Sequence, residues 1–200
     1  MEELREIYSD RGSVRFQPHV TLIAGIKEDP GKSEQESRSE IWSKFLETLE
    51  DWRGSRTDQE EPTQPQEGVD PSKIVCRLTD VTTRGFFFQC ILISIETQPD
   101  LISLNSKMRQ AFSSRLASRT QAESPYFPHC SLLYSDIDSS EAERAIRIME
   151  SNHVFKRIEP DGDVDLIDFS GITSFEFQAV ELWDSNGPVE DWKLLERIDL

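Results

Sequence analysis

The sequence predicts an α+β protein with antiparallel sheets. Short apolar runs of strand length alternate along the chain with three longer segments whose apolar residues recur at helical spacing. Several strand-like runs follow each other directly, which favours hairpins over parallel crossovers. With 200 residues, of which 36% are hydrophobic and 30% charged, the chain is long and apolar enough for a substantial core.

The three predicted helices each carry a stripe of apolar side chains. They span about 39–52, about 100–116, and a segment that starts near residue 140. Ser37 with Glu40, and Ser140 with Glu143, form Ser-x-x-Glu patterns typical of a capping box at a helix start. Residues 2–8 also look helical.

The predicted strands are short apolar segments with turn-forming residues between them. They are 19–26, 74–81, 86–95, 129–134, 175–182 and 192–198. The second and third are expected to form a hairpin around residues 82–85. Residues 54–71 contain almost nothing to bury and are predicted to be a disordered loop insertion.

The charge and the cysteine content exclude several classes of protein. A formal net charge of −16 opposes binding of long nucleic acid, which needs many Lys and Arg side chains on phosphates, but it leaves a single small phosphate possible in a local pocket. No apolar run is long enough to span a membrane, and the charged N-terminus lacks the apolar core of a signal peptide. We therefore expect a protein of the cytoplasm or nucleus, with the cytoplasm as the first choice. The three cysteines, Cys76, Cys90 and Cys130, form neither a disulfide framework nor a zinc knuckle. Cys76 and Cys90 flank the predicted hairpin turn and could face each other across it, but two reduced, buried thiols are the favoured interpretation.

A short internal repeat is the most informative pattern. Residues 16–23 and 126–133 both read aromatic-x-Pro-His-x-hydroxyl-Leu-aliphatic. Because residues i and i+2 of a strand share a face, His19 should lie beside Thr21, and His129 beside Ser131. The alternative is a structural duplication in which both histidines are merely hydrogen-bonded within a core.

The paired His-x-Thr/Ser motifs resemble those of the 2H phosphoesterase superfamily. The flanks of both motifs, together with residues 187–193, resemble its cyclic phosphodiesterase branch of fungi and plants. The resemblance runs from Phe16 to the end, without residues 54–71. It implies one bilobal, pseudo-symmetric domain over residues 1–200, with helices outside and two antiparallel sheets facing a central cleft. Only residues 1–15 precede the first motif, so the first strand of that fold is expected to be missing.

The resemblance also implies an activity. It is the hydrolysis of nucleoside 2′,3′-cyclic phosphates to 2′-phosphates, or of ADP-ribose 1″,2″-cyclic phosphate, a by-product of tRNA splicing. Two histidines suit this reaction because an imidazole pKa of about 6.5 allows one base and one acid near neutral pH. Neither role is assigned to His19 or to His129 by the sequence.

Three further residues are expected to take part in the site, and we also expect that it needs no metal or cofactor. Thr21 and Ser131 would donate hydrogen bonds to the phosphate oxygens as charge develops there. Tyr134 would contact the substrate, or is an ordinary tyrosine with a solvated hydroxyl. We expect no metal, no cofactor, no membrane and a monomer, with a small cyclic-phosphate nucleotide as the substrate.

Other patterns are weaker, and two other functions stay open. Residues 25–33 resemble a phosphate-binding loop only superficially, because the glycine spacing is wrong and acidic residues intervene. His153 is interpreted as a charge partner at a helix end, and the aspartates of 161–168 as a solvated loop. The alternative functions are a 2′-5′ RNA ligase or phosphodiesterase, and a non-catalytic phosphate-binding relative.

Overall fold

The chain folds into two compact units. The structure, a computed structural model, describes residues 2–57, 73–117, 125–162 and 164–200. The first unit comprises Met1–Thr21, Val75–Thr97 and Phe127–Asp199, and the second comprises Leu22–Ile74, Gln98–Tyr126 and Leu200. The single bilobal domain over residues 1–200 stays a prediction.

The first unit contains all the strands of the described residues, joined in antiparallel pairs. They are β1 (Val75–Thr82), β2 (Ile91–Ile95), β3 (His129–Leu133), β4 (Phe155–Asp161), β5 (Val164–Phe169), β6 (Ser174–Glu176), β7 (Ala179–Asp184) and β8 (Lys193–Asp199). A four-stranded sheet has the order β3-β2-β1-β6, and β4–β5 and β7–β8 are two-stranded. Its helices are α1 (Glu2–Ile7) and α4 (Ser139–Ser151). The predicted α+β class with antiparallel sheets is confirmed.

The core of the first unit lies on the four-stranded sheet. Strand β2 is apolar and almost wholly buried, because it is paired on both edges, with β1 and with β3. Cys76 and Leu78 of β1 are 0% and 3% exposed, two residues apart as one face of a strand requires. Helix α4 packs its buried Ala142, Ala145 and Met149 against this layer.

The second unit is built on two helices that pack against each other, α2 (Glu34–Thr57) and α3 (Pro99–Ala111). The buried residues of α2 recur at three- and four-residue spacing, which forms one continuous stripe. They are Ile41, Phe45, Leu49 and Trp52, and those of α3 include Leu101, Leu104 and Met108. Both helices were predicted, although α2 is longer at each end and α3 ends earlier.

The predicted capping boxes are wrong for both helices. Helix α2 begins earlier, where Ser33 Oγ accepts from Glu36 N at 3.3 Å and Glu36 Oε2 accepts from Ser33 N at 3.0 Å. Ser37 is instead buried, and its hydroxyl accepts a hydrogen bond from Asp29 N at 2.7 Å. Helix α4 is capped by Asp138, whose carboxylate accepts from Glu141 N at 2.9 Å. At the N-terminus of each of these helices, more than one residue can serve as the cap. The sequence pattern alone does not show which of them is used.

Four segments differ from the predicted secondary structure. The predicted strand 175–182 is divided into two strands, β6 and β7. Residues 19–26 form no continuous strand; two isolated bridges, from Val20 to Cys130 and from Ile26 to Leu116, are their β-pairings among the described residues. The predicted strand 86–95 begins only at Ile91, after a short 3-10 turn at Phe87–Gln89. The acidic segment predicted as a loop forms the β4–β5 hairpin, because Ile167 and Phe169 alternate inward between the aspartates.

The predicted insertion at 54–71 is partly helical. Residues 54–57 belong to α2, and residues 58–71 lie outside the described residues. Within the described part of the chain, none of the helices has the length and apolar character needed to cross a membrane. All three cysteines are free thiols.

Candidate active site

The two motifs meet through one backbone pairing in the first unit. Val20 and Cys130 form an antiparallel bridge. In antiparallel pairing the residue before one partner lies opposite the residue after the other. His19 therefore lies opposite Ser131, and Thr21 opposite His129. Since the bridged pair occupies the other face, the four motif side chains share one face.

Both histidine rings are oriented by the same local hydrogen bond. His19 Nδ1 lies 2.8 Å from the carbonyl oxygen of Gln17, and His129 Nδ1 lies 2.9 Å from that of Phe127. A carbonyl oxygen only accepts, so Nδ1 carries the hydrogen and donates it in each ring. The Nε2 atom of each imidazole is thereby left to exchange a proton with a bound molecule.

Among the residues that the structure describes, one polar group lies near each Nε2 atom, at the outer limit of hydrogen-bond length. Tyr134 Oη lies 3.5 Å from His19 Nε2, and Gln89 Nε2 lies 3.4 Å from His129 Nε2. With Nδ1 protonated, a neutral ring accepts at Nε2, so the hydroxyl and the amide are the donors. Hydrogen bonds of this length are weak, and a substrate oxygen can replace them.

The two imidazoles differ in their surroundings. His19 is exposed, whereas His129 is half-buried. Burial lowers the pKa of His129, and the nearby charges of Arg84 and His19 lower it further, although the hydrogen bond to Phe127 opposes them. The neutral form of His129 is therefore favoured, which suits a group that accepts a proton.

The two motif hydroxyls are placed differently. Thr21 is exposed on the shared face. Ser131 is 5% exposed, and its hydroxyl donates to the carbonyl oxygen of Phe88 at 2.9 Å. Ser131 can therefore donate to a substrate oxygen only by exchanging that bond, so its phosphate-binding role stays a prediction.

Tyr134 forms the centre of an aromatic cluster beside the histidines. Its ring is 4% exposed and stacks on Phe16 at 3.9 Å between centroids. Phe88 meets it edge-on at 5.3 Å, and Trp192 stacks on Phe88 at 5.9 Å. Burial raises the pKa of Tyr134, so its hydroxyl stays protonated and able to donate. Phe88 is 49% exposed and leaves apolar surface open to a ligand.

Sequence reasoning missed the segment 84–89, which contacts three of the predicted residues. Arg84 N donates to Gln89 O at 3.0 Å and closes the segment into a loop. From this loop Gln89 reaches His129, and Phe88 contacts both Ser131 and Tyr134. The sequence signals a turn at Gly85 but not its partners, which lie on another strand.

Arg5 of α1 is a second residue that sequence reasoning missed. Its guanidinium lies 4.2 Å over the ring of Phe16, and its Nη1 donates to the carbonyl oxygen of Phe16 at 3.1 Å. Its Nε also lies 3.4 Å from the carbonyl oxygen of Leu132 in β3. Helix α1 thus holds the first motif segment against the strand that carries the second motif.

His153 is not part of this group. It follows α4 and lines a separate depression of about 390 Å³ with Lys156, Asp168, Ser170 and Gly171. No ion pair or hydrogen bond of its ring is among the contacts of the described residues, so its predicted role as a charge partner stays a prediction.

Two comparisons with known proteins agree with the motifs. Over residues 1–200 the chain matches the family model described as cyclic phosphodiesterase-like protein. Cyclic phosphodiesterase of Arabidopsis thaliana is 31% identical over 65 residues, which are 32% of this chain and 33% of the plant protein. The chain thus matches about a third of that relative's length. The resemblance drawn from the paired motifs is confirmed, and the chain belongs to the cyclic phosphodiesterase-like family.

Proposed function

We propose that this protein hydrolyses small cyclic phosphodiesters without a metal ion, by paired-histidine acid–base catalysis. The substrates are 2′,3′-cyclic nucleotides or ADP-ribose 1″,2″-cyclic phosphate, and the product is the ring-opened phosphomonoester. The observation that carries the proposal is that His19 and His129 share one face, each with Nδ1 donating to its own chain and Nε2 left for chemistry. The plant relative, named a cyclic phosphodiesterase, supports it. We place the enzyme in the cytoplasm, as a monomer that acts on by-products of tRNA splicing.

The surroundings of the two rings support an assignment of roles. His129, favoured in the neutral form, accepts the proton of the attacking water. The water oxygen bonds to phosphorus, the bond from phosphorus to the 3′ oxygen breaks, and His19 in its protonated form gives a proton to that departing oxygen. The charge and the atoms balance: one proton enters at His129 and another leaves from His19.

The remaining predicted residues act on the phosphate and on the rest of the substrate. Thr21 lies on the reacting face and donates to a non-bridging oxygen, where negative charge grows in the transition state. Ser131 does the same once its hydroxyl exchanges Phe88 O for the substrate. The hydroxyl of Tyr134, which lies close to His19 Nε2, donates a hydrogen bond to the substrate. The aromatic side chains around Tyr134 contact the nucleobase of the substrate.

One observation favours a second candidate function, a phosphate-binding protein without turnover. The hydroxyl of Ser131 is occupied by a backbone carbonyl, so one of the expected phosphate donors is engaged. Tight binding of a nucleoside 2′-phosphate, without hydrolysis of the cyclic compound, would favour this reading. The alternative function of a 2′-5′ RNA ligase or phosphodiesterase is not favoured, because a net charge of −16 opposes binding of a long RNA.

The experiment is a hydrolysis assay of uridine 2′,3′-cyclic phosphate in the presence of EDTA. We expect uridine 2′-phosphate as the product, and a loss of roughly 10²–10⁴-fold in kcat for His19→Ala and for His129→Ala. His153→Ala, which removes the one histidine outside the group, is the matched control and should keep the rate. EDTA-sensitive turnover, or turnover that survives both substitutions, would contradict the proposal.

A further inference from the structure

We propose that the side-chain amide of Gln89 holds the attacking water beside His129, so that the enzyme opens the cyclic phosphate with water rather than with an alcohol. The inference deepens the proposed function and rests on it. It adds a catalytic residue to the site and names what that residue selects, which is the nucleophile.

Gln89 reaches the reactive atom of the proposed base. Its Nε2 lies 3.4 Å from His129 Nε2, the ring nitrogen that is left for proton exchange because Nδ1 donates to Phe127 O. A hydrogen bond of this length is weak and readily replaced. Two groups 3.4 Å apart can both lie about 2.9 Å from one oxygen atom, which is an ordinary hydrogen-bond length. A water molecule can therefore contact the imidazole and the amide at the same time.

The amide of Gln89 is not used to hold the fold together. Among the described residues, its side chain makes one hydrogen bond, the contact with His129, and its Oε1 atom has no partner. By contrast, the amide of Asn105 serves the fold, because its Nδ2 donates to Leu22 O at 2.6 Å. The carbonyl oxygen of Gln89 is thus free to accept a hydrogen from a molecule that enters the site.

The backbone fixes the position from which Gln89 acts. Gln89 N donates to Phe86 O at 2.8 Å, and Arg84 N donates to Gln89 O at 3.0 Å. The same loop contacts β3, where Ser131 Oγ donates to Phe88 O at 2.9 Å. The side chain of Gln89 is itself half-buried. Its amide is therefore presented to the site from a loop whose backbone is bonded on two sides.

The carbonyl end of the amide is the one that the reaction requires. The last torsion of a glutamine is broad and two-fold, so the amide can turn until Oε1 takes the place of Nε2. Oε1 then accepts one hydrogen of the water, while His129 Nε2 accepts the other. An N–H donor on the water would instead draw electron density away from the oxygen that attacks phosphorus.

The second hydrogen of water is what distinguishes it from an alcohol. The water oxygen bonds to phosphorus as its first hydrogen passes to His129 Nε2, and its second hydrogen stays on that oxygen, bound to Gln89 Oε1. The bond from phosphorus to the 3′ oxygen breaks, and that oxygen takes a proton from His19. Methanol has a single hydrogen to donate. When His129 accepts it, Gln89 Oε1 is left without a hydrogen bond, which disfavours the alcohol.

The test measures which nucleophile is used. Uridine 2′,3′-cyclic phosphate is incubated with the enzyme in water that contains methanol, and mass spectrometry gives the ratio of uridine 2′-(methyl phosphate) to uridine 2′-phosphate. The variant is Gln89→Met, which keeps the length of the side chain and removes its amide. We expect this ratio to rise about five- to tenfold and kcat to fall by a similar factor, since one hydrogen bond is lost. KM should change little, because Gln89 holds the water and not the nucleotide.

A second variant, Gln89→Glu, keeps an oxygen that accepts from water. It should keep the low proportion of the methyl ester. Its carboxylate should also favour the protonated form of His129, against the charges of Arg84 and His19, so the acidic limb of the kcat/KM profile should move to higher pH. A merely structural role of Gln89 would not move this limb.

The matched control is Gln178→Met, in the exposed segment between β6 and β7. It removes the same amide, whose Nε2 lies 3.4 Å from Glu176 O, and should change neither the product ratio nor kcat. An unchanged product ratio in Gln89→Met, with a wild type that hydrolyses the substrate, overturns the inference alone. A wild type that hydrolyses no cyclic phosphodiester overturns the proposed function and the inference with it.

Discussion

The two histidines of the candidate site have the same backbone bond but unequal surroundings. Each Nδ1 donates to the carbonyl oxygen two residues earlier, since Pro18 and Pro128 lie between and both motifs enter in the same way. His129 lies deeper than His19, and the charge of Arg84 acts on it. Burial and charge, rather than the motif, thus make the surroundings of the two rings unequal, and the proposed assignment of a proton acceptor and a proton donor rests on this difference.

The first prediction concerns the titration of His129. Its imidazole should titrate below the ordinary value of about 6.5 in an NMR experiment, because burial disfavours its protonated form. Since the pKa is lower in the folded state, the unfolded chain binds more protons between the two values. The titration of His129 therefore leaves stability unchanged at pH values above its pKa in the unfolded chain. Stability falls as the pH drops from that value toward the pKa of His129 in the folded protein.

His129→Gln is the comparison for that stability profile. Between pH 7 and pH 5, the free energy of unfolding of His129→Gln should fall less than that of the wild type. The free energy of unfolding of His153→Gln should fall as much as that of the wild type. An imidazole of His129 that titrates at or above 6.5 would contradict both the prediction and its role as the base.

The second prediction concerns the thiols. Burial raises the pKa of Cys76 to about 12 and that of Cys90 to about 11, and both side chains are almost wholly inaccessible. The thiolate is the reactive form, so neither should be alkylated by iodoacetamide at pH 8 in the native protein. Mass spectrometry should find both labelled after unfolding in urea. Native labelling of Cys76 faster than of the half-buried Cys130 would be inconsistent with the structure.

Helix packing in the second unit depends on the α2 stripe. Leu49 is 1% exposed at the centre of that stripe. The third prediction is that Leu49→Ala reduces the free energy of unfolding by about 2–5 kcal/mol in urea titrations, since it removes buried contacts and leaves a cavity. Glu47→Ala, on the exposed face of the same helix, is the matched control and should change stability little. Equal effects of the two substitutions would show that the stripe is not a core.

The whole molecule carries far more acidic than basic groups. A net charge of −16 produces self-repulsion that salt screens, with a Debye length that shrinks from about 30 Å at 0.01 M to about 10 Å at 0.1 M. Salt also weakens the surface ion pairs, but each of these contributes only about 0–1 kcal/mol. The fourth prediction is therefore a rise in Tm from 10 mM to 200 mM NaCl.

The same rise is expected with tetramethylammonium chloride at equal ionic strength, because screening does not depend on the identity of the cation. A rise with sodium alone would indicate a specific cation site instead. A fall in Tm with both salts would mean that the ion pairs outweigh the repulsion.

Much of the architecture could be predicted because its signals are local. The apolar stripe with Phe45 and Leu49 predicted α2, and the alternation in 74–81 predicted β1. The β4–β5 hairpin was missed, because Asp165 and Asp168 conceal the inward Ile167 and Phe169 in a pattern that resembles a polar loop. Residues 19–26 have the composition of a strand, but within the described part of the chain their β-bridges are limited to Val20 and Ile26, so apolar character did not suffice to form one.

The sequence by itself determined the pair of motifs, and with them the family and the four side chains proposed for chemistry. A repeat of residue types at fixed spacing is visible in the sequence itself, and the alternation of side chains along a strand predicts that each histidine lies beside its hydroxyl residue. Only the tertiary structure decided that the motifs meet at Val20 and Cys130, that His129 is the more buried ring, and that Arg5, Arg84 and Gln89 stand around them. Those facts depend on contacts between segments far apart in sequence, and burial and charge at a site are properties of the assembled surroundings rather than of any one segment.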